Sequence, residues 1–326
     1  MKKYLDLHLH LDGAITVEIA KCLASLQNIP LPTKNDEELS KLLQAPENCS
    51  DLNEFLACFD LPKMLLQTKE GITEAVRLVS ENILSQGVIY AEIRFAPQLF
   101  TEKGLSQEEV ILAALEGIKK TSLKVNLILC CIRGDHNDKE NEETVELTKK
   151  YLVKDGGIVA LDLAGAEAVF PTSKYASLFE KARSYGLPFT IHAGEAAGVE
   201  SVLEAVKFGA KRIGHGVRIA GNQNAIDLIK KNGITLEMCP TSNRQTHAID
   251  DMNQYPLVDF LNQGVKVTVN TDDMGIEGTT IAEEFEYLKE ILNLTEEQKK
   301  IILENSVEAA FTTEEVKSQL KTQLFK

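Results

Sequence analysis

Residues 4–13 read Y-L-D-L-H-L-H-L-D-G, and this stretch decides which fold the sequence predicts. Leucines alternate with polar residues, and His8 and His10 stand two positions apart. Side chains at positions i and i+2 of a β-strand lie on the same face, so both imidazoles point the same way. We therefore predict a strand whose two histidines face the inside of a barrel, while the neighbouring leucines face the surrounding helices.

Apolar runs recur along the chain, and several are nearly continuous, as expected for parallel strands buried on both faces. The predicted strands are Tyr4–Leu9, Val88–Ala96, Val125–Ile132, Ile158–Leu163, Pro188–Ala193, Arg212–His215, Ile234–Met238 and Val265–Thr271. Amphipathic helical stretches lie between most of them. This alternation predicts an α/β fold, a closed (β/α)8 TIM barrel. A doubly wound open sheet is the alternative, but neither G-x-G-x-x-G nor G-x-x-x-x-G-K occurs.

Two parts of the chain depart from the simple repeat. The segment Ala14–Gln86 is far too long for one crossover helix and predicts a helical insertion after strand 1. Such an insertion lies at the C-terminal mouth, where barrel enzymes bind substrate. The tail after Asp273 predicts extra C-terminal helices around 281–292 and 295–311, where T-E-E-Q is typical of a capping box. We expect one domain over residues 1–326.

Composition restricts the partners. The net charge is -14 and the pI is near 5.0. An acidic surface repels phosphate backbones and anionic membranes, so we expect neither nucleic acid nor a membrane as partner. The N-terminus has no apolar signal core, and no apolar stretch approaches membrane-spanning length. Six cysteines without a C-x-x-C pair are interpreted as free thiols in a reducing compartment. We expect a cytoplasmic protein that is monomeric or weakly oligomeric.

Further predicted strands end on side chains that bind metals. His192 lies in I-H-A-G-E, three residues before Glu195. His215 lies in R-I-G-H-G, and Asp272 and Asp273 follow V-T-V-N-T. Each alone has an ordinary explanation, such as a core histidine, a Gly-rich turn, a helix N-cap or a surface glutamate. Together at one barrel mouth they indicate a metal site, because three imidazoles and a carboxylate can hold a transition metal with room for water.

The chemistry that this set supports is hydrolytic. A divalent metal lowers the pKa of a water molecule from 15.7 towards about 7. A ring carbon is electrophilic only when the ring nitrogen beside it is protonated, which requires a positioned acid, and Glu195 is the candidate. His215, if held off the metal, can orient the water, take its proton or stabilise the charge that develops.

Motifs along essentially the whole chain resemble the adenosine deaminase family of the amidohydrolase superfamily. In order they are H-L-H-L-D-G-A, D-L-A-G-A-E, H-A-G-E, G-H-G and N-T-D-D. The resemblance implies that Glu195 protonates purine N1 and that His215 acts on the attacking water as base or electrostatic stabiliser. It also implies one zinc ion, bound by His8, His10, His192 and Asp272.

The same resemblance implies how a small purine nucleoside is bound. Asp273 would hydrogen-bond N7, the backbone N–H of Gly165 would meet N3, and Asp12 would contact a sugar hydroxyl. A hydrophobic lid over the ribose is matched by Phe55, Leu56 and Phe59. Their spacing independently suggests one apolar helix face, for which plain packing against the barrel is the alternative.

Departures from the family pattern lie at the substrate rim. Met274 and Gly275 follow the paired aspartates where animal members carry a different tripeptide, and Arg218 follows the G-H-G turn. They affect the choice between nucleoside and free base, and not the reaction type. We expect a zinc-dependent adenosine deaminase acting on adenosine and 2′-deoxyadenosine. The alternatives are an adenine deaminase and a non-catalytic barrel with a binding role.

Overall fold

Eight strands form the centre of the molecule within residues 2–46 and 52–325, which this computed structural model describes. They form where apolar runs can be buried on both faces. All eight predicted strands are confirmed, and their ends differ from the prediction by two residues at most. The strands are β1 (Tyr4–His10), β2 (Val88–Phe95), β3 (Lys124–Arg133), β4 (Ile158–Gly165), β5 (Thr190–Ala193), β6 (Arg212–His215), β7 (Thr235–Met238) and β8 (Lys266–Val269).

The strands are parallel and close into a ring. Regular pairing runs β1-β2-β3-β4 and β5-β6-β7-β8. Single parallel bridges join the two halves, Leu161 to Phe189 at one junction and Leu9 to Asp272 at the other. At the second junction the N–H of His10 donates to the carbonyl of Asp272 at 2.8 Å. The predicted (β/α)8 barrel is confirmed, and its closure fastens the end of β1 to the chain beyond β8.

The predicted helical insertion after β1 is confirmed. Thr16 and Asn35 cap its first two helices by accepting hydrogen bonds from backbone N–H groups. The insertion consists of α1 (Val17–Gln27), α2 (Asp36–Leu43), α3 (Leu52–Ala57) and α4 (Asp60–Leu65), and α5 (Lys69–Ser85) then leads to β2.

The remaining helices surround the barrel or follow β8. They are α6 (Gln107–Ile118), α7 (Asp138–Tyr151), α8 (Ala176–Ser184), α9 (Val199–Phe208), α10 (Gln223–Asn232), α11 (Pro240–Gln245), α12 (Leu257–Asn262), α13 (Met274–Glu277), α14 (Ile281–Leu292), α15 (Glu296–Ala309) and α16 (Glu314–Phe325). The predicted capping box at Thr295 is confirmed. Helix α16 was not predicted; it buries Val316 and Leu320 against Leu5 and Leu7 of β1. Among the described helices, none is both long and apolar enough to cross a membrane.

The thiols occupy ordinary positions in this fold. Cys130 and Cys131 are buried on β3, Cys239 is buried after β7, and Cys22 is exposed on α1. These four are free thiols, as predicted. Cys49 lies outside the described residues.

Glu284 on α14 ties the chain after β7 to the segment before α14. Its Oε2 accepts from the N–H of Thr241 at 3.0 Å, and its Oε1 accepts from Oγ1 of Thr279 at 2.8 Å. Burial raises the pKa of Glu284 to about 7, against the two hydrogen bonds, which favour the charged form. Thr241 belongs to α11, which also carries side chains of the candidate active site, so Glu284 braces that helix.

We expect Glu284→Gln to raise the melting temperature by about 2 °C at pH 8 and to leave it unchanged near pH 4.5. The folded pKa lies above the ordinary value of 4.5, so the wild type loses stability as the pH rises from about 4.5 to about 7. A glutamine satisfies both partners, because its oxygen accepts from Thr241 and its amide donates to Thr279. Thermal unfolding across this pH range checks the prediction, with exposed Glu283→Gln as control. A difference that does not change with pH would contradict it.

Candidate active site

Histidines and an aspartate from distant parts of the chain meet at the C-terminal ends of the strands. His8 and His10 lie at the end of β1, His192 on β5, His215 at the end of β6, and Asp272 three residues beyond β8. The ring centroids of His8 and His192 are 4.5 Å apart, and those of His8 and His215 are 5.1 Å apart. The structure thus brings all five side chains to one point of the barrel mouth.

The donor atoms of four of these residues have the spacing of a metal site. Oδ1 of Asp272 lies 3.1 Å from Nε2 of His8 and 3.3 Å from Nε2 of His10. Nε2 of His10 lies 3.2 Å from Nε2 of His192. Ligand atoms about 2.0–2.1 Å from a tetrahedral ion lie about 3.3 Å from one another. The donor atoms of His8, His192, His215 and Asp272 also lie within 4.8 Å of one another, and Nε2 of His215 lies 3.6 Å from Oδ2 of Asp272.

Two carboxylates fix which ring nitrogens face this point. Nδ1 of His8 lies 2.8 Å from Oε2 of Glu237, and Nδ1 of His192 lies 3.0 Å from Oδ2 of Asp162. A carboxylate only accepts, so each Nδ1 carries the hydrogen and each Nε2 presents its lone pair. Nε2 of His8 is buried and makes no hydrogen bond to any described residue. A metal ion would satisfy that lone pair, so the donor set fits one.

Arg94 joins these two supporting carboxylates. Its Nη1 donates to Oδ2 of Asp162 at 2.8 Å, and its Nη2 donates to Oε2 of Glu237 at 2.9 Å. Burial would raise the pKa of Glu237, but Arg94 and Arg212 outweigh it and hold that pKa below its usual range. Burial is likewise outweighed at Asp162, where His192 and Arg94 hold the pKa well below its usual range. Both carboxylates stay charged and support the histidines from behind.

The backbone around these side chains is unusual. His215 has a φ of 62° and Asp272 a φ of 56°, in the left-handed region that histidine and aspartate enter more readily than most residues. A Cβ placed on Gly214 would lie 3.0 Å from Cε1 of His8, tighter than an ordinary contact. The absence of a side chain at Gly214 therefore allows the His8 ring to approach β6.

Glu195 and His215 face each other beside the cluster. Oε2 of Glu195 lies 3.5 Å from Nε2 of His215. Burial lowers the pKa of His215, so the imidazole is neutral at pH 7. Helix α11 and the residue after it contact both side chains: Oγ1 of Thr246 lies 3.0 Å from Oε1 of Glu195, and Nδ2 of Asn243 lies 3.0 Å from Nδ1 of His215.

Asp273 and Asp12 form an acidic side of the mouth. A Cβ placed on Gly13 would lie 1.7 Å from Oδ1 of Asp273, so only glycine fits there. Burial and the charges of Asp272 and Asp12 raise the pKa of Asp273 well above its usual value. Burial also raises the pKa of Asp12. Oδ1 of Asp273 has no hydrogen-bond partner within the described part of the chain, so this carboxyl can serve a ligand.

The four remaining predicted residues lie on β4 and the insertion. Gly165 is exposed at the end of β4, where its φ is 97°. Phe55 is buried against Ile276 of α13, and its ring centroid lies 6.0 Å from that of Phe59. Leu56 is 50 % exposed. Phe55 and Phe59 therefore share an apolar cluster, whereas Leu56 does not belong to it.

Sequence reasoning missed the residues that hold the site from behind. They are Arg94, Asp162, Glu167, Glu237 and Thr246. Arg94, Asp162 and Glu237 lie within mostly apolar, buried strands, in E-I-R-F, A-L-D-L and T-L-E-M. A charged residue in such a strand must find a buried partner, and this signal could have marked them. Thr246 carries no comparable signal.

Comparisons with known proteins agree with this geometry. A family model described as adenosine deaminase matches residues 4–326. The adenosine deaminase of Haemophilus ducreyi is 46% identical over 322 residues, covering 97% of this chain and 94% of that protein. The adenosine deaminase of Clostridium botulinum (strain 657 / Type Ba4) is 42% identical and covers 97% and 96%. The structure of adenine deaminase from Arthrobacter aurescens superposes with a TM-score of 0.88 at 26% identity, over 99% of this chain and 98% of that one. The chain therefore belongs to the adenosine deaminase family.

Proposed function

We propose that this protein converts adenosine and 2′-deoxyadenosine to inosine and 2′-deoxyinosine by hydrolysis, with release of ammonia. The observation that carries the proposal is the 3.5 Å approach of Glu195 to His215 beside the cluster of metal-binding side chains. Hydrolytic removal of an amine needs an acid for the ring and an activated water, and this mouth can supply both. The sequence relatives at 42% and 46% identity are named adenosine deaminases, which supports a nucleoside substrate.

We propose that one zinc ion is held by His8, His10, His192 and Asp272. Three nitrogen donors and one oxygen donor suit zinc. When bound, the ion would lower the pKa of a water molecule, so that the water can lose a proton and act as a nucleophile at neutral pH. Nε2 of His8 makes no hydrogen bond to a described residue, and this lone pair and the donor spacing support the ligand set.

Glu195 gives a proton to N1 of the purine, so that the neighbouring carbon C6 becomes electrophilic. His215 orients the water on the same side. Tyr255 donates to Oδ1 of Asn243 at 3.0 Å, which turns Nδ2 of that amide towards Nδ1 of His215. A neutral His215 then carries its hydrogen on Nε2 and donates from it. This arrangement favours His215 as the stabiliser of developing charge over His215 as a base.

The other predicted residues bind the nucleoside in this proposal. Asp273 donates to N7, which is an acceptor, and its raised pKa supports a carboxyl that keeps its proton. The backbone N–H of Gly165 meets N3, and Asp12 contacts a sugar hydroxyl. The side chains assigned to the ribose side are Phe55, Leu56 and Phe59, of which Leu56 is half exposed and therefore accessible to a ligand.

An adenine deaminase is the second candidate, because a solved adenine deaminase from Arthrobacter aurescens shares this fold at 26% identity. We expect adenosine and 2′-deoxyadenosine to be consumed with a kcat/KM at least about 100-fold above that of adenine. Ultraviolet assays with the three compounds side by side, on protein of known metal content, check this. Preference for adenine would replace the proposal with the second candidate. Metal binding without turnover of any of them would indicate another substrate, and neither metal nor turnover would indicate a non-catalytic barrel.

Three expectations stay predictions: the single domain over residues 1–326, the monomeric or weakly oligomeric state, and the cytoplasmic location.

A further inference from the structure

Glu195 lies on a connection without regular secondary structure. Strand β5 ends at Ala193 and helix α9 begins at Val199, so 194–198 has no ladder or helix to hold it. The backbone N–H groups of such a segment need acceptors, and converging N–H groups form a nest for an anion. An acid on a loose connection would be a poor catalyst, because small misplacements of a reacting group can cost on the order of 100-fold in rate.

The carboxylate of Glu167 fills this nest. Its Oε1 accepts from the N–H of Gly194 at 2.6 Å, and its Oε2 accepts from those of Glu195, Ala196 and Ala197 at 3.1, 2.8 and 3.0 Å. Glu167 is only 4% exposed. Burial would raise its pKa, but hydrogen bonds from Ser201 and the backbone outweigh burial and lower the pKa. A charged, buried carboxylate therefore fixes four consecutive backbone groups, including that of the proposed acid.

Thr246 holds the side chain of the same acid. Its Oγ1 lies 3.0 Å from Oε1 of Glu195 and 2.9 Å from the carbonyl oxygen of Ser242. A hydroxyl has one hydrogen, and a carbonyl only accepts. Oε1 of Glu195 accepts hydrogen bonds both when the carboxyl carries its proton on Oε2 and when it is ionised, so the hydroxyl of Thr246 can donate to Oε1 in either state. Thr246 can therefore contact Glu195 before and after the proton leaves, and Oε2 remains directed towards the mouth.

We propose that Glu167 and Thr246 are positioning residues that together aim Oε2 of Glu195 at the substrate. This inference rests on the proposed function, in which Glu195 is the acid. Glu167 fixes the backbone of the acid and Thr246 fixes its carboxyl group, so the two act through Glu195 and touch no substrate themselves.

Thr246→Val removes the hydroxyl at nearly constant shape. We expect kcat for adenosine to fall about tenfold with KM changed by less than about threefold, because the loss concerns the transition state. Thr246→Ser restores the hydroxyl and should recover most of kcat. The matched control is Thr148→Val on α7, which removes a similar hydroxyl–carbonyl bond, to Thr144 at 2.7 Å, far from the site, and should leave kcat unchanged. Equal losses in Thr246→Val and Thr246→Ser would overturn the role of the hydroxyl.

Glu167→Gln places an amide N–H₂ beside backbone N–H donors. An N–H₂ group cannot accept a hydrogen bond, so at least one of these contacts is lost. We expect kcat to fall by about 10- to 100-fold, again with a smaller change in KM. Metal content and melting temperature are measured for every variant. If Glu167→Gln does not fold, the Thr246 series alone decides.

The deciding test repeats these substitutions in a Glu195→Gln background. If both residues act through the acid, Glu195→Gln/Thr246→Val and Glu195→Gln/Glu167→Gln keep the residual rate of Glu195→Gln alone. Losses that multiply with that of Glu195→Gln would overturn the inference and leave the proposed function intact. Absence of aminopurine turnover by the wild type would instead overturn the proposed function, so the two failures are distinguishable.

Discussion

Glu195→Gln is expected to lower kcat for adenosine by roughly 10³-fold while the metal content stays at the wild-type level. Glutamine has the size of glutamate and can still contact Oγ1 of Thr246, which lies 3.0 Å from Oε1 in the wild type. It has no acidic proton to give to the ring nitrogen. Since Glu195 lies 3.5 Å from His215 and is not among the four proposed ligands, its loss should spare the metal.

Steady-state kinetics and elemental analysis on the same preparation check this prediction. Glu200→Gln is the matched control, because Glu200 is an exposed glutamate on α9, five residues along the chain. The control should retain wild-type kcat. A Glu195→Gln variant with near wild-type activity would show that the acid has been assigned to the wrong residue.

Asp272→Asn is expected to abolish activity for a different reason, because the variant loses the metal. Asparagine keeps the shape of aspartate and tolerates the left-handed backbone at a φ of 56°. It removes the negative charge of the carboxylate, whose Oδ1 lies 3.1 Å from Nε2 of His8 and 3.3 Å from Nε2 of His10. We expect zinc affinity to fall by more than about 100-fold, since even residues behind the ligands contribute 10- to 100-fold.

Chelator competition on zinc-reconstituted protein measures the zinc affinity independently of activity. Asp273→Asn changes the adjacent carboxyl, which lies against Gly13, and serves as the control. It should keep the metal and change substrate binding little, because its amide can still donate to N7. Full metal occupancy in Asp272→Asn, or equal metal loss in both variants, would contradict the proposed ligand set.

The barrel and the convergence of strand ends were accessible from the sequence because they depend on local patterns. Apolar runs marked each strand, and parallel strands that end on His8, His192 and His215 place those residues at one edge. The pattern also located Asp272 beyond β8, where closure of the barrel brings its carbonyl to 2.8 Å from the N–H of His10.

The contacts behind the ligands were not accessible, because they depend on how strands are staggered around the barrel. Arg94 on β2 reaches Asp162 on β4 and Glu237 on β7, a pairing that no local pattern indicates. Thr246 contacts Glu195 across 51 positions of sequence. The lid prediction assumed one helix face for Phe55, Leu56 and Phe59, whereas α3 ends at 57 and Leu56 is half exposed, so the three side chains do not share one buried face.

The most direct test is elemental analysis of freshly purified wild-type protein that has not met a chelator, with the deamination rate recorded on the same sample. We expect one zinc per chain and a deamination rate that falls and recovers in proportion to zinc as the metal is removed and restored. Full deaminase activity in protein without any stoichiometric transition metal would contradict it.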